Sequence, residues 1–441
     1  MTESSKISLL TAILININIM LGSGIFINTS LLTGQAGALG AGVYLLVGIL
    51  LLPLILAIAQ LLKYHHGVAT FYHFGLSLSP FFGFLSSLSY FTAKLCSCAL
   101  GVHVCVSFLQ QIIPILQVIP TLIFDSVLIV CFTALNLLNL KIGKSIQYGF
   151  MALKLIPLLF AIFAGFFLFS GAHFSNATLL WSGVPLSIPL VLYAFTGFES
   201  SCSISRHIKN PEKNGPKAIL ISYCIVITIA VLYQTMFFGS LGQALGNLAG
   251  GYLSVFPALL TKLLGEHAAS KNTLQGLLHI GIASSSLGSS YGIMFSNSWN
   301  LHALAEHGHV FNKKLFITLN KYSAPIACVI TEGIIALGYL WITQGNQVPL
   351  QQVSALGGTM AYTLSSVALL MLTYRRYNKL TVLPILSLLS CCLLISSFIW
   401  SISVKGPTNL LIVFFSILIF GSYMFFKKHE PNKHDEVFEK I

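Results

Sequence analysis

Long apolar stretches recur along the whole chain, and they constrain its fold more than any other feature. The stretch from Leu39 to Leu62, for example, contains no charged residue and exceeds the roughly 20 residues with which an α-helix crosses a bilayer. Only 8% of the 441 residues are charged, against about 25% in a typical soluble domain. In lipid only helices and closed barrels satisfy all backbone polar groups. Because these runs are too long and too continuously apolar for barrel strands, the sequence predicts an all-α integral membrane protein.

Twelve apolar segments can be placed as transmembrane spans, forming a single domain over residues 1–426. Spans 1 to 12 are predicted at Ser8–Thr33, Leu39–Leu62, Phe81–Ile113, Thr121–Leu140, Ile146–Ser170, Val184–Ser205, Ala218–Leu241, Thr273–Ala305, Ala324–Thr343, Gln351–Tyr374, Leu380–Val404 and Asn409–Phe426. A charged tail, 427–441, is expected in the cytoplasm. No small-residue cleavage site ends the first apolar run, so we expect it to be retained as a helix rather than removed as a signal peptide.

Lysine and arginine are distributed very unequally between the two sides of the predicted membrane domain. With the N-terminus inside, the outer loops carry only Lys262, Lys271 and Lys405, while Lys94 and Lys154 lie within spans. All other basic residues then lie in the cytoplasm, which is the distribution typical of membrane proteins. We therefore predict a cell-membrane protein with both termini inside. The net charge of +12 reflects this topology and contact with the bilayer rather than nucleic-acid binding.

Two of the predicted spans contain segments that are poor helix formers. Span 1 holds Gly22-Ser23-Gly24-Ile25-Phe26, and span 6 holds Ala194-Phe195-Thr196-Gly197-Phe198-Glu199-Ser200-Ser201. Glycine lets the backbone leave helical geometry, and unpaired backbone groups at membrane depth persist only where they line a cavity or bind something. The two ends of a broken helix carry opposite partial charges, which suits a zwitterion. The alternative is close helix packing through small residues.

The two segments occupy corresponding positions if spans 1–5 and 6–10 are two halves of an inverted repeat. The halves would cover about residues 8–170 and 184–374, with two extra helices at 380–426. Interrupted helices in matched positions of two repeats mark a binding site between them. The pattern therefore favours a site over simple packing.

Five motifs follow one another in the order found in a known family. Gly22–Phe26 and Phe195–Glu199 resemble the two signature segments of the amino acid–polyamine–organocation superfamily. Ile208–Ile219 resembles the family's Asn-Pro-x-x-x-x-Pro-x-Ala-Ile loop, Lys154–Leu158 its helix 5 pattern, and Leu301–Gly308 the end of its helix 8. The resemblance runs from about Lys6 to Phe426.

The resemblance implies the five-plus-five inverted-repeat fold of the leucine transporter, with helices 1 and 6 broken and two helices added. It implies that backbone amides after Gly22, around Ser23, Gly24 and Ile25, hold a substrate carboxylate. It also implies that carbonyls around Ala194, Phe195 and Gly197 hold the substrate's α-amino group. Spans 3, 8 and 10 would complete the pocket. Phe195 or Phe198 would serve either as a lid or as simple packing.

Ionisable residues within spans are costly in lipid and are functional candidates by default. Lys154 matches a lysine that some family members carry where sodium-coupled relatives bind an ion, which implies sodium-independent, proton-linked transport or exchange; the alternative is snorkelling to the cytoplasmic face. Glu199 either takes up a proton, contacts a cationic substrate or is satisfied by backbone N–H groups. Lys94 is not a family signature. It could attract an acidic side chain, repel basic substrates, pair with Glu199 or snorkel. Glu332 is predicted to be structural.

Span 8 is unusually polar, with Ser284, Ser285, Ser286, Ser289, Ser290, Tyr291, Ser296 and Asn297. Such residues either join helices or line an aqueous path. We favour the path, with Tyr291 reaching the substrate. His103 and His279 are expected to pack in the core, and the pair His65-His66 is not expected to bind metal. The nine cysteines are expected to be buried small hydrophobes, so no metal or cofactor is predicted.

The sequence contains no P-loop and no HExxH motif, so neither ATP-driven transport nor zinc-dependent hydrolysis is expected. Three hypotheses remain for the function. The first is a secondary amino acid transporter that works by proton symport and alternating access. The second is an obligate exchanger of amino acid for product, and the third is a sensor or subunit that does not transport. The substrate would be an amino acid or related amine, and the sequence specifies neither its identity nor the oligomeric state.

Overall fold

The computed structural model describes residues 6–65, 70–138, 140–203, 205, 208–266, 270–377 and 380–428. Over these ranges the chain is helical and contains no β-strand. The α-helices are α1 (Leu9–Met20), α2 (Ser23–Ala36), α3 (Gly40–Tyr64), α4 (Thr70–Leu76), α5 (Pro80–Ile112), α6 (Thr121–Asn136), α7 (Leu140–Leu168), α8 (Ala172–Ser175), α9 (Val184–Phe195), α10 (Ser200–Ser203), α11 (Pro211–Leu241), α12 (Val255–Leu264), α13 (Ser270–Glu306), α14 (Lys313–Ile317), α15 (Ile326–Thr343), α16 (Gln347–Tyr377), α17 (Val382–Lys405) and α18 (Asn409–Lys428).

Nine helices of the described chain are long and apolar enough to cross a membrane, taking α1 and α2 together as one. They correspond to predicted spans 1, 2, 3, 5, 7, 9, 10, 11 and 12. Predicted spans 4 and 6 coincide with α6 and α9, which have 16 and 12 residues. Predicted span 8 coincides with α13, which has 37 residues but is rich in serine. The prediction of an all-helical membrane protein is confirmed, while the count of twelve spans and the inverted repeat stay predictions.

The start of predicted span 7 differs from the start of the corresponding helix. Helix α11 begins at Pro211 rather than at Ala218, with Pro216 inside its first turns. Proline lacks an N–H group and has a fixed φ, so it is well suited to the first helical turn, where that N–H would have no partner. The segment that resembles the family's Asn-Pro loop is therefore mostly the start of a helix.

The distribution of polar and apolar side chains between interior and surface is the reverse of that in a soluble protein. Large apolar side chains face outward, such as Ile49, Phe163 and Ile419, which are 61%, 63% and 69% exposed. Polar side chains such as Asn16 and Asn28 are fully buried. This distribution is what a lipid surround favours, since exposed apolar groups cost nothing there and polar groups need partners inside. The polar interior positions the site between α1, α2, α5, α9 and α13.

Candidate functional site

The first interruption lies between α1 and α2. Helix α1 ends at Met20, and the N–H of Leu21 donates to the Ile17 carbonyl at 2.8 Å. Gly22, with φ −89° and ψ −145°, then redirects the chain before α2 begins at Ser23. A Cβ on Gly22 would lie 2.6 Å from Ser289 Oγ, so the close approach of α13 requires glycine here. The first N–H groups of α2 have no intrahelical partner and carry partial positive charge.

The second interruption follows α9. The N–H of Thr196 donates to the carbonyls of Leu192 and Tyr193 at 3.1 and 3.2 Å, which closes the helix end. Thr196 is extended, and Gly197 has φ +125°, a conformation that side chains other than glycine rarely adopt. Helical geometry resumes only at Ser200. The carbonyl end of α9 therefore lies inside the protein with its partial negative charge.

The two interruptions pack directly against each other. A Cβ on Gly24 would lie 2.9 Å from Ala194 Cα, and a Cβ on Gly197 would lie 2.8 Å from Ile19 Cγ2. The Asn28 side chain also donates to the Leu190 carbonyl at 2.8 Å, which fixes α2 on α9. Each interruption thus presents a glycine to the other, and the free helix ends meet at one place.

A small cavity of about 10 Å³ lies where the interruptions meet, which is room for about one water molecule. It is lined by Ile19, Met20, Gly22, Ser23, Gly24, Lys94, Ser97, Tyr193, Ala194, Thr196, Ser289 and Ile293. The predicted residues Gly22, Ser23, Gly24, Ala194 and Lys94 are therefore brought together. The cavity is smaller than an amino acid, the substrate that the sequence predicts.

Sequence reasoning missed several residues of the cavity wall, above all Tyr193. Its hydroxyl lies 3.0 Å from Ser23 Oγ, so it joins α9 to the first turn of α2. Ile19, Met20, Ser97 and Ile293 were missed as well. Position provided a usable signal for two of them, because Ser97 lies one helical turn after Lys94 and Tyr193 lies in the last turn of α9 before the interruption.

Lys154 lies at the carbonyl end of α1. Its Nζ donates to the carbonyls of Asn18 and Leu21 at 2.6 and 2.7 Å, and Ser285 Oγ donates to the Leu21 carbonyl at 2.7 Å. The lysine is fully buried, so it does not reach towards the membrane surface. A cation in this position complements the negative end of the helix, which places the ammonium group beside the first interruption.

Lys94 and Glu199 form a buried ion pair, which was one of the alternatives left open by the sequence. Lys94 Nζ lies 2.7 Å from Glu199 Oε1, and the two side chains are 3% and 0% exposed. The hydroxyl of Tyr90 also donates to Oε1, at 3.1 Å, and the N–H of Gly197 donates to Oε2 at 2.8 Å. The pair therefore joins α5 to the unwound segment after α9.

Five other predicted site residues are buried without lining the cavity. Phe195 packs edge-on against Tyr44, with ring centroids 5.6 Å apart, and Phe198 lies 5.5 Å from the Tyr362 ring. Tyr291 lies 6.0 Å from the Phe132 ring. Neither these side chains nor Ile25 and Gly197 belong to the cavity wall within the described chain. The structure places Phe195, Phe198 and Tyr291 in the surrounding core.

The serines of α13 combine the two roles that the sequence left open. Ser289 lines the cavity, whereas Ser285 and Ser290 donate to backbone carbonyls of other helices, those of Leu21 and Cys98 at 2.7 and 3.1 Å. Glu332 is fully buried in α15 and lies outside the cavity wall. The polarity of α13 thus serves mainly to hold α1 and α5, with one serine facing the cavity.

The remaining predicted groups lie away from the cavity. His103 Nδ1 is 2.8 Å from Asp125 Oδ2, and the His279 ring packs on Phe108 at 4.9 Å. His66 lies outside the described residues. Among those described, no group of three or more His, Cys, Asp or Glu is placed to hold a metal ion. Six cysteines are buried as predicted, but Cys131, Cys224 and Cys392 are exposed, because they lie on the outward faces of their helices.

Apolar helices that surround a polar-walled cavity between two helix interruptions define a multi-pass membrane protein with an internal cavity. The chain belongs to the amino acid permease family, whose profile matches residues 7–432. This match confirms the resemblance to the amino acid–polyamine–organocation superfamily. Its members are membrane transporters rather than enzymes, and the match supports amino acid transport across the cell membrane as the function.

Individual relatives are distant but cover most of the chain. The aromatic amino acid transport protein AroP of Escherichia coli (strain K12) is 22% identical over 379 residues, which is 81% of this chain and 78% of the relative. AroP of Shigella flexneri gives the same values. AroP of Salmonella typhimurium (strain SL1344) is 22% identical over 331 residues, 71% of this chain and 69% of the relative.

Proposed function

We propose that this protein is a secondary active transporter that moves an amino acid by alternating access, without sodium and coupled to protons. The observation that carries the proposal is the meeting of two interrupted helices at one cavity, with Lys154 seated on the carbonyl end of α1. Free backbone N–H and C=O groups at one place suit a small zwitterion.

The substrate's two charged ends would bind the two kinds of helix end. Its carboxylate would accept hydrogen bonds from the amides at the start of α2, around Ser23 and Gly24, and from the Ser23 hydroxyl. Its ammonium would donate to carbonyls at the ends of α1 and α9, where Met20 and Ala194 line the cavity. Both interactions match charge to helix polarity.

Lys154 supports independence from sodium. Its ammonium donates to two carbonyls that would otherwise be available to a metal cation, and two cations at contact distance repel strongly in a buried site. Because Lys154 donates to carbonyls at the end of α1, movement of α1 would change its hydrogen bonding. We propose that Lys154 releases and regains a proton at that step, which couples transport to the proton gradient.

The proposal includes the architecture that alternating access requires. Spans 1–5 and 6–10 would form a five-plus-five inverted repeat with two extra helices, and both termini would lie in the cytoplasm. Rocking of one group of helices against the other would then open the cavity to one side at a time. The narrowness of the cavity fits this scheme, since a closed site must widen to take up and release its substrate.

Uptake into liposomes tests the proposed function directly. Purified protein would be reconstituted, and uptake of a panel of labelled amino acids measured with an inward proton gradient, with sodium, and with amino acid inside. We expect saturable uptake of at least one amino acid that rises with the proton gradient and does not change with sodium. Uptake that requires sodium would overturn the assignment of Lys154, and uptake that requires internal amino acid would identify an exchanger instead. The relatives are named for aromatic amino acids, so tryptophan, tyrosine and phenylalanine belong in the panel.

A further inference from the structure

The Lys94–Glu199 ion pair lies at the edge of the cavity, with the lysine on the cavity side. Lys94 belongs to the cavity wall, whereas Glu199 does not. Lys94 therefore borders the cavity, and its ammonium lies 2.7 Å from the carboxylate of Glu199, which is outside the wall. A molecule in the cavity would contact Lys94 and not Glu199.

Glu199 is held in place independently of Lys94. One carboxylate oxygen accepts from the Gly197 N–H at 2.8 Å, and the other accepts from the Tyr90 hydroxyl at 3.1 Å. If the lysine side chain were removed, these two donors would still fix the carboxylate. It would then be a buried anion without a cation, next to the space that the lysine had filled.

Lys94 and Glu199 are paired with each other before a substrate arrives. Lys94 and Glu199 cancel each other, and a zwitterion's own two charges are met by the ends of the helices. A second ammonium on the substrate would lie against Lys94, and a second carboxylate would have to compete with Glu199 for the lysine. Like charges at close range in a buried site are strongly unfavourable.

We propose that Lys94 is a specificity-determining residue that acts as a built-in cation. It forms with Glu199 the ion pair that a cationic side chain of a substrate would otherwise form. The protein therefore selects amino acids with uncharged side chains and excludes lysine, ornithine and arginine. This inference rests on the proposed function, since it concerns which amino acids the same cavity admits.

Removal of the built-in cation should change the class of substrate. In Lys94→Ala the side-chain ammonium of free lysine takes over the vacated partner Glu199, so lysine binding appears. In Lys94→Ala/Glu199→Gln lysine binding disappears again, because the Glu199 carboxylate is also gone. In the reciprocal variant Glu199→Gln, Lys94 loses its partner and glutamate binding appears. The double variant is the matched control, since it removes the same lysine side chain without exposing a charge.

Binding of labelled leucine, lysine and glutamate to the purified full-length protein would be measured for the wild type and the three variants. For the wild type we expect lysine to bind at least about 100-fold more weakly than leucine, as like-charge repulsion predicts. The Lys94→Ala variant should bind lysine at least as well as leucine. Size-exclusion chromatography and thermal unfolding would establish that each variant is folded.

Two results would overturn the inference while leaving the proposed function intact. One is wild-type protein that binds lysine and leucine equally well. The other is a folded Lys94→Ala variant that binds leucine but gains no lysine binding. Should Lys94→Ala fail to fold, the Glu199→Gln arm decides: gain of glutamate binding supports the inference, and its absence in folded protein overturns it. Wild-type protein that binds no amino acid at all would instead contradict the proposed function.

Discussion

Gly24 is the position where one added carbon atom should most directly disturb the junction of the two interruptions. In Gly24→Ala the new Cβ would lie 2.9 Å from Ala194 Cα, 3.0 Å from Tyr193 Cε1 and 3.1 Å from Ala194 Cβ. Ordinary contacts begin near 3.4 Å. Helices α2 and α9 would therefore have to separate by about 0.5 Å, which is the kind of overpacking that core substitutions produce.

The magnitude of this effect follows from the contacts. Overpacking typically costs about 1–3 kcal/mol, and displacement of Tyr193 would weaken its 3.0 Å hydrogen bond to Ser23, worth about 1 kcal/mol. Replacing glycine by alanine within a helix returns about 1 kcal/mol. The net cost is about 1–3 kcal/mol. If this cost destabilises the substrate-bound conformation, affinity for the substrate drops roughly 5- to 150-fold.

The assay is equilibrium binding of a transported amino acid to purified protein, with thermal unfolding measured on the same samples. Gly42→Ala in α3 is the matched control, because a Cβ there meets nothing within 4 Å, and we expect its affinity to equal that of the wild type. A Gly24→Ala protein with wild-type affinity and wild-type thermal stability would refute the assignment of this junction as the binding site.

Three further substitutions give distinct readouts. Lys154→Met should abolish the response of uptake to the proton gradient, because methionine cannot release or regain a proton and the two carbonyl contacts of the ammonium are lost. Lys262→Met in α12 loses one hydrogen bond to the Ser240 carbonyl of α11 and should transport normally; equal effects in uptake assays would contradict the coupling role. Tyr193→Phe should weaken substrate binding by roughly 5-fold, the value of one hydrogen bond, and an unchanged dissociation constant would argue against a Tyr193 contribution. Burial, with His307 and His65 nearby, holds the pKa of His73 below its ordinary 6.5, so the folded chain binds this proton less readily and loses stability as pH falls through 6.5. His73→Asn should therefore show a smaller loss of melting temperature on acidification than the wild type, and an equal loss would contradict this account.

The interruptions could be predicted because the local sequence specifies them. Gly197 has a positive φ that other residues rarely adopt, and Gly22 leaves room for the close approach of α13. Each glycine lies within an otherwise apolar span. The predicted helix ends failed at Pro211 for a related reason, since proline both ends helices and begins them, and sequence alone did not separate the two cases.

The composition of the cavity wall depends on tertiary packing and was predicted only in part. The rotation of α9 directs Tyr193 into the cavity and Phe195 towards Tyr44, although the two residues are close in sequence. The pairing of Lys94 likewise depends on where α5 meets the unwound segment that carries Glu199. Contacts between residues so far apart in the chain are fixed by the packing of whole helices, for which a single sequence holds no local signal.

The position of a bound amino acid tests the central claim most directly. Cryo-electron microscopy of the protein, saturated with an amino acid that it transports, would locate the ligand relative to the two interrupted helices. We predict the carboxylate at the first amides of α2 and the ammonium at the carbonyl ends of α1 and α9. Continuous helices at Gly22 and Gly197, with the amino acid bound elsewhere, would contradict the account.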